Sequence, residues 1–281
     1  MSVLDHKKIS FVGGGNMAQA LISGLIGCGI QPNLITVADP NLDIREQLTA
    51  KGLNAVDPAA DAKAAVIDAV IDADIVVLAV KPQVMKAVVS TFADALDTQL
   101  VISVAAGLST ELLSDMLNGY RNIVRAMPNT PAMIQMGATG LYGTEDISAE
   151  QKQLATAMME ASGLVMWVED EAHMHAVTAV SGSAPAYMFY IIESMVDGAV
   201  ALGLDKEQAS ALAMQTMLGA AKMAMGSEDA PAELRRKVTS PNGTTQAAIE
   251  SMQANDIGRQ IGEAMQACYD RSQALSKEMS Q

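Results

Sequence analysis

Three consecutive glycines, Gly13, Gly14 and Gly15, follow the apolar run Ile9–Val12 and precede a helical pattern that opens at Asn16 and Met17. A strand that turns on glycines into a helix can seat a pyrophosphate on the helix N-terminus, where backbone N–H groups point outward. Gly13 permits the tight turn, and Gly15, without a Cβ, lets the backbone approach the phosphates. Ala18 fills the third small position of G-x-G-x-x-[GA] and allows the helix to pack on the strand. An ordinary strand-to-helix turn is the alternative. The position of the motif at the first strand, and the alternation that follows it, favour a dinucleotide.

A second cluster of polar chemistry lies far downstream, at Ser240-Pro241-Asn242-Gly243-Thr244-Thr245. Here a turn feeds a helix, and N–H groups flanked by hydroxyls form a site for an anion. A simple capped helix is the plainer reading, but the density of Ser, Thr and Gly exceeds what a cap requires.

Between these two lie smaller features. Ala79-Val80-Lys81-Pro82 ends an apolar run, at the strand terminus where ligands collect in open α/β sheets. Lys81 is placed to face the nicotinamide half of a cofactor, or a substrate, or simply solvent. Ala105-Ala106-Gly107 follows another strand, and small residues there permit close backbone approach to a ligand. Met127–Ala132, with two prolines and Asn129, forms a rigid loop at a strand end. Asp39 reads as an acceptor for the adenosine ribose hydroxyls, which would favour NADH, and as a cap of the helix that follows Pro40, and the two roles are compatible. Arg45, one turn on, could instead meet a 2′-phosphate.

The elements that must position these residues follow from periodicity. Short apolar runs at residues 9–12, 34–38, 74–80, 100–104 and 122–126 read as buried parallel strands, which lose the alternation of half-exposed ones. Helical stretches separate most of them, including an alanine-rich one over 57–73. Residues 137–143, a helix over 148–162 and residues 164–168 complete the sheet. Beyond Glu169 the β-branched runs disappear. Helices are expected at 171–180, 184–202, 206–225, 231–238, 245–253 and 256–279. The expected fold is an α/β Rossmann-type domain over residues 1–168, followed by an all-α domain over 169–281. The helix from Ala184 is apolar on nearly every face, with only Glu193 and Asp197 charged before Leu204. Such a helix must be buried, and one domain of this size cannot wrap it, so a second subunit is expected to cover it.

Composition narrows the function. The chain has 281 residues, 50% of them hydrophobic and 18% charged, and a formal charge of −14. That charge argues against nucleic acid and against an anionic membrane surface. No apolar stretch reaches the about 20 residues that span a bilayer. Cys28 and Cys268 are too far apart in sequence to make a zinc or C-x-x-C pattern, and no metal is expected. Together with the lack of a signal peptide, they point to a reducing cytoplasm.

The motifs GGGNMA, AVKP, AAG after a strand, RAMPNTP, AVSGSAPAY and VTSPNGTTQAAIE, in this order, resemble pyrroline-5-carboxylate reductase. The resemblance covers essentially the whole chain. Ala184 and Asn242 stand where glycine is frequent in the family, and both replacements are small. The resemblance implies reduction of a cyclic imine acid to L-proline by NADPH or NADH, in a homodimer; decamers are known in the family. It further implies that Ser240, Asn242, Gly243, Thr244 and Thr245 bind the substrate. The Thr245 hydroxyl then meets the ring nitrogen, and Glu228 lies near the amine side. The cofactor falls to Gly13–Met17, Asp39, Ala79–Pro82, Ala106, Gly107 and Asn129. His173 and His175 lie outside these motifs and read as surface or packing residues. A β-hydroxyacid dehydrogenase is the nearest rival, but residues 172–204 lack the lysine that class uses. A non-catalytic nucleotide sensor would not need the SPNGTT loop.

Overall fold

The computed structural model describes residues 3–58 and 63–279. The first elements are β1 (Ile9–Val12), α1 (Asn16–Gly27), β2 (Ile35–Ala38), α2 (Leu42–Ala50), β3 (Asn54–Val56) and α3 (Lys63–Ile71). Then come β4 (Ile75–Leu78), α4 (Pro82–Val89), β5 (Leu100–Ser103), α5 (Thr110–Met116), β6 (Ile123–Met127), β7 (Gly137–Gly143), α6 (Ala149–Glu160) and β8 (Gly163–Trp167). The remainder is helical: α7 (His173–Val177), a π-helical turn at Thr178–Gly182, α8 (Ala184–Ala201), α9 (Lys206–Met225), α10 (Pro231–Lys237), α11 (Thr244–Ala254) and α12 (Ile257–Met279).

The strands form one eight-stranded sheet in the order β3-β2-β1-β4-β5-β6-β7-β8. The pairs from β3 to β6 are parallel, β7 runs antiparallel to β6, and β8 is parallel to β7. The expected Rossmann-type architecture is therefore present. Helices cover both faces, which is why β1, β4 and β5 are buried along their whole length. On α1 the residues Ala18, Leu21, Ile22 and Leu25 are buried, the spacing of a single helical stripe laid on the sheet.

Some elements differ from expectation. Leu34 belongs to a short 3-10 turn and the second strand starts at Ile35. The three-residue β3 carries no apolar run, since it lies at the sheet edge and is only partly covered. The helix expected over 57–73 is seen from Lys63, and residues 59–62 lie outside the described residues. The helix expected over 171–180 is α7 followed by the π-turn.

The chain divides into two compact units, residues 1–183 with 268–281, and residues 184–267. This differs from a single division at 168/169. In the first unit, the end of α12 meets α7: the His175 Nδ1 lies 2.9 Å from the Ser272 hydroxyl. The His175 ring also stands edge-on to Tyr269, with centroids 5.8 Å apart. Met279 packs into the core over β4 and β5. The second unit has almost no core of its own. Its buried cluster is Val196, Ala209 and Ala213, with Ile192 and Ala199 against it. Phe189 on α8 is 66% exposed, Leu212 on α9 is 59% exposed, and Leu202 just beyond α8 is 89% exposed. Among the described residues, no helix is long and apolar enough to cross a membrane.

One close approach gives a direct test of the packing. A Cβ at Gly24 on α1 would lie 2.2 Å from the Ala161 carbonyl oxygen, at the end of α6. Helix and loop must part to admit it. Gly24→Ala should cost about 1–3 kcal/mol, the usual range for overpacking a tight contact. Chemical denaturation of the purified protein measures this, and an unchanged midpoint would mean that α6 yields freely.

Candidate functional site

β1 is the pivot of the sheet. β2 and α2 lie to one side of it and β4 to the other, so the loops leaving β1 and β4 diverge and open a crevice at the strands' C-terminal ends. The glycine loop enters that crevice. The Gly13 N–H donates to the Ala38 carbonyl at 2.8 Å, and the Ala79 N–H donates to the Val12 carbonyl at 2.8 Å. Gly13 has φ +102°, and a Cβ there would stand 2.8 Å from the Ala79 oxygen. Glycine is thus required twice over, by conformation and by space. A Cβ at Gly14 would press on Ile44 at 2.8 Å. At Gly15, by contrast, a Cβ would meet nothing within 4 Å. Gly15 is the N-cap of α1 and no side chain caps the helix. Its open side and the first N–H groups of α1, at Asn16, Met17 and Ala18, are free to face an anion.

Asp39 sits beneath this loop, buried at the end of β2. Its Oδ2 accepts the Gly14 N–H at 2.8 Å, and its Oδ1 accepts the Asn41 N–H at 2.8 Å. The cap of α2 is Asn41, whose side chain accepts from Asp43 and Ile44, so the capping role considered for Asp39 falls to its neighbour two residues on. Arg45 donates to the Asp39 carbonyl at 2.8 Å and pairs with Asp57 at 2.6 Å. The guanidinium is therefore held at the rim of the β2 end.

Beside the glycine loop lies a cavity of about 610 Å³, lined by Val12, Ala38, Pro40, Pro58, Val66, Val80, Val84, Ala87, Val88 and Thr91. Its lining is mainly apolar. Of the residues that form it, only Val80 was picked out from sequence. Val84 and Val88, one turn apart on α4, carried the available signal, but only the sheet order brings α3 and α4 to the same slot.

The other cofactor candidates in the first unit border the same strand ends. Lys81 is the exposed N-cap residue of α4, with Pro82 in the first turn. Ala106 is exposed, while Gly107 is buried with φ +83° and lies against Leu275 of α12. The Asn129 side chain is already engaged: its Nδ2 donates to the Ser181 carbonyl at 3.0 Å and its Oδ1 accepts the Ala138 N–H at 2.9 Å. Asn129 thereby ties the loop after β6 to the π-turn and to β7.

Under this rim lies a polar network that sequence did not reveal. Arg125 on β6, 4% exposed in its side chain, pairs with Glu171 at 3.0 Å. Glu171 also accepts from the Thr110 N–H at 2.8 Å and from the Thr110 hydroxyl at 2.7 Å. A carboxylate at the N-terminus of α5 gains from the helix dipole as well as from the guanidinium. Burial and the nearby Arg125 charge hold His175 below the usual histidine pKa, against the opposing pull of Glu171. The contacts of His175 with Ser272 and Tyr269 are those of a packing residue. Among the described residues, no group of three His, Cys, Asp or Glu side chains is placed to hold a metal.

The second unit presents the Ser240–Thr245 turn. Asn242 has φ +58°, a left-handed conformation that asparagine accepts more readily than most residues. The Gly243 N–H closes the turn on the Ser240 carbonyl at 3.1 Å. Gly243 is the N-cap of α11 and no side chain caps the helix, so the capped-helix alternative does not hold. Thr244 and Thr245, in the first turn, are exposed, as are Ser240 and Asn242. Glu228 stands exposed in the loop between α9 and α10. The two halves of the expected chemistry thus appear as two open, uncapped helix starts, one in each unit.

Two family models match the chain. One describes pyrroline-5-carboxylate reductase dimerisation and covers residues 171–275; the other describes an NADP oxidoreductase, coenzyme F420-dependent, and covers residues 8–107. The chain is 46% identical over 279 residues to a pyrroline-5-carboxylate reductase of Pseudomonas aeruginosa, covering 99% of this chain and 100% of that one. Among solved structures, it resembles a pyrroline-5-carboxylate reductase from Coxiella burnetii, with 41% identity, a TM-score of 0.90, and 97% of this chain and 99% of the other covered. It also resembles the Plasmodium falciparum pyrroline carboxylate reductase with NADP bound, with 26% identity, a TM-score of 0.83 and the same coverage.

The bonds of Asp39 give a clear expectation. Because the carboxylate holds the glycine loop through the Gly14 N–H, Asp39→Asn should raise the KM of NADH and NADPH together, by about three- to tenfold for one lost hydrogen bond. Steady-state kinetics with each cofactor checks it. A change in the NADPH constant alone would assign Asp39 to the ribose.

Proposed function

The chain belongs to the pyrroline-5-carboxylate reductase family, and we propose that its two uncapped helix starts divide the work of that family's reaction. The enzyme reduces L-1-pyrroline-5-carboxylate to L-proline with NADPH or NADH, the last step of proline biosynthesis. The β-hydroxyacid dehydrogenase and the non-catalytic sensor are not favoured by relatives that match over the whole chain. The observation that carries the division of labour is the start of α11, which offers free N–H groups and two hydroxyls with no side chain of its own to satisfy them.

The glycine loop fits a dinucleotide: Gly15 leaves open the space that a Cβ would fill, and the apolar slot beside β1 takes the adenine. Gly13 to Met17 hold the pyrophosphate. Ala79 to Pro82, Ala106, Gly107 and Asn129 border the nicotinamide half, and Asp39 keeps the loop in shape. The bound nicotinamide supplies the hydride.

The residues of the chain orient the imine and manage its nitrogen. Ser240, Asn242, Gly243 and Thr244 shape the turn that seats the substrate carboxylate on the helix start, which suits an anion despite the negative charge of the chain. As the C=N bond is reduced, its electron pair moves onto nitrogen, which ends the reaction carrying a proton. The Thr245 hydroxyl donates to that nitrogen, and the hydrogen bond strengthens as electron density grows there. Glu228 lies toward the amine side and favours the protonated product. An interaction that strengthens along the reaction lowers the barrier, whereas uniform binding lowers only KM.

The dimerisation model over 171–275 and the exposed apolar side chains of α8 and α9 support an oligomer. The closed form is a homodimer in which α8 and α9 of each protomer cover the other's. The two free cysteines, Cys28 and Cys268, support a reducing, cytoplasmic setting.

Three experiments test this reading. Thr245→Ala should cut kcat by about ten- to a thousandfold, as for loss of a strong transition-state hydrogen bond, with cofactor affinity unchanged. A variant with natural kcat would remove Thr245 from the reaction. Sedimentation should find a dimer or a multiple of it, which also decides whether five dimers close into a decamer. Phe189→Asp should disperse the assembly and abolish activity together, and an active monomer would overturn the shared helical interface.

A further inference from the structure

The left-handed turn at Asn242 is held by a side chain from the helix that follows it. The Asn242 N–H donates to the Oε1 of Gln246, at 2.7 Å, and the Gln246 Nε2 donates to the Oε1 of Glu250, at 2.6 Å. The amide of Gln246 has one orientation that satisfies both neighbours. Its oxygen must face the backbone donor, and its nitrogen must face the carboxylate. Glu250 lies one turn further along α11, so the whole relay stands on one helical face. On the other side of Asn242, the Gly243 N–H is bound to Ser240. The N–H groups on both sides of the Asn242 Cα are thus spoken for. Those of Thr244 and Thr245 lie in the first turn of α11, with no side-chain cap to take them.

Asparagine at φ +58° carries a conformational cost that glycine would not. A left-handed residue with a Cβ persists where its surroundings over-determine it. Here the surroundings are the Gln246 amide and the carboxylate that orients it. We propose that Gln246, oriented by Glu250, is a positioning residue for the reaction: it locks the Ser240–Thr245 loop in the form that presents its N–H groups to the substrate carboxylate. This rests on the loop being the substrate site. The negative charge of Glu250 is drawn into the relay by the Gln246 amide, one turn from the anion site.

The test uses the full-length enzyme and four variants. Gln246→Ala should raise the KM for pyrroline-5-carboxylate about tenfold, the scale of one well-oriented hydrogen bond, while the KM for NADPH stays put. Hydrogen exchange should quicken in the segment 241–246. Gln246→Glu sets two carboxylates against each other at i,i+4 and should be impaired. Gln246→Glu combined with Glu250→Gln rebuilds the relay with the charge moved, and should recover most of the affinity. Its recovery keeps the test decisive even where the alanine variant fails to fold. An unchanged substrate KM in Gln246→Ala, or a double variant no better than Gln246→Glu, overturns the proposal alone. Natural-level kcat and KM in Thr245→Ala removes the loop as the substrate site, and the proposal falls with it.

Discussion

Everything in the first unit hangs on the double pairing of β1. The strand is bonded to β2 on one edge, with Ile9 opposite Ile35, and to β4 on the other, with Ile9 opposite Ile75. Its faces are covered by helices, so it can neither slide nor tilt without breaking two ladders and uncovering core. The turn that leaves it is fixed by the same bonds: Gly13 is anchored to Ala38, and Ala79 to Val12. A phosphate cradle made of backbone is only as well placed as the strand that feeds it. Here that strand is paired on both edges and buried along its whole length.

The second unit works under the opposite condition. Its helices bury three side chains among themselves and turn aromatic and aliphatic groups outward. A unit with so little core draws little rigidity from its own packing. The loop at the start of α11 therefore needs local bonds of its own, and Gln246 and Glu250 supply them within one helix. Rigidity in one half comes from the sheet and at the start of α11 from short-range relays.

The sequence made some of this plain and hid the rest for physical reasons. β4 was readable because a strand buried on both faces is an unbroken apolar run, IVVL. β3 was not, because three residues at an edge need no such run. Asp39-Pro40-Asn41 places two good caps two residues apart, and only the structure shows that Asn41 caps while Asp39 bonds the glycine loop. Asn242 was recognisable as a tolerated left-handed residue. Its clamp was not, since a glutamine four residues later on a helix is ordinary until the turn brings a backbone donor to it. The Arg125–Glu171–Thr110 network joins residues up to 61 positions apart and leaves no local pattern at all.

The return of α12 to the first unit bears on how the molecule is made. Residues from Cys268 onward group with the nucleotide-binding unit, where Ser272 bonds His175 and Met279 completes a core begun by β4 and β5. The helical unit is, in topology, an insertion with both ends rooted in one body. A ribosome delivers the chain from its N-terminus, and domains ordinarily fold as they emerge. This one cannot finish its first unit in that order. The part of its core that Met279 covers stays bare until the last helix has emerged. The span between 183 and 268 thus sets a delay in synthesis during which the nascent chain is most exposed to aggregation and to chaperones.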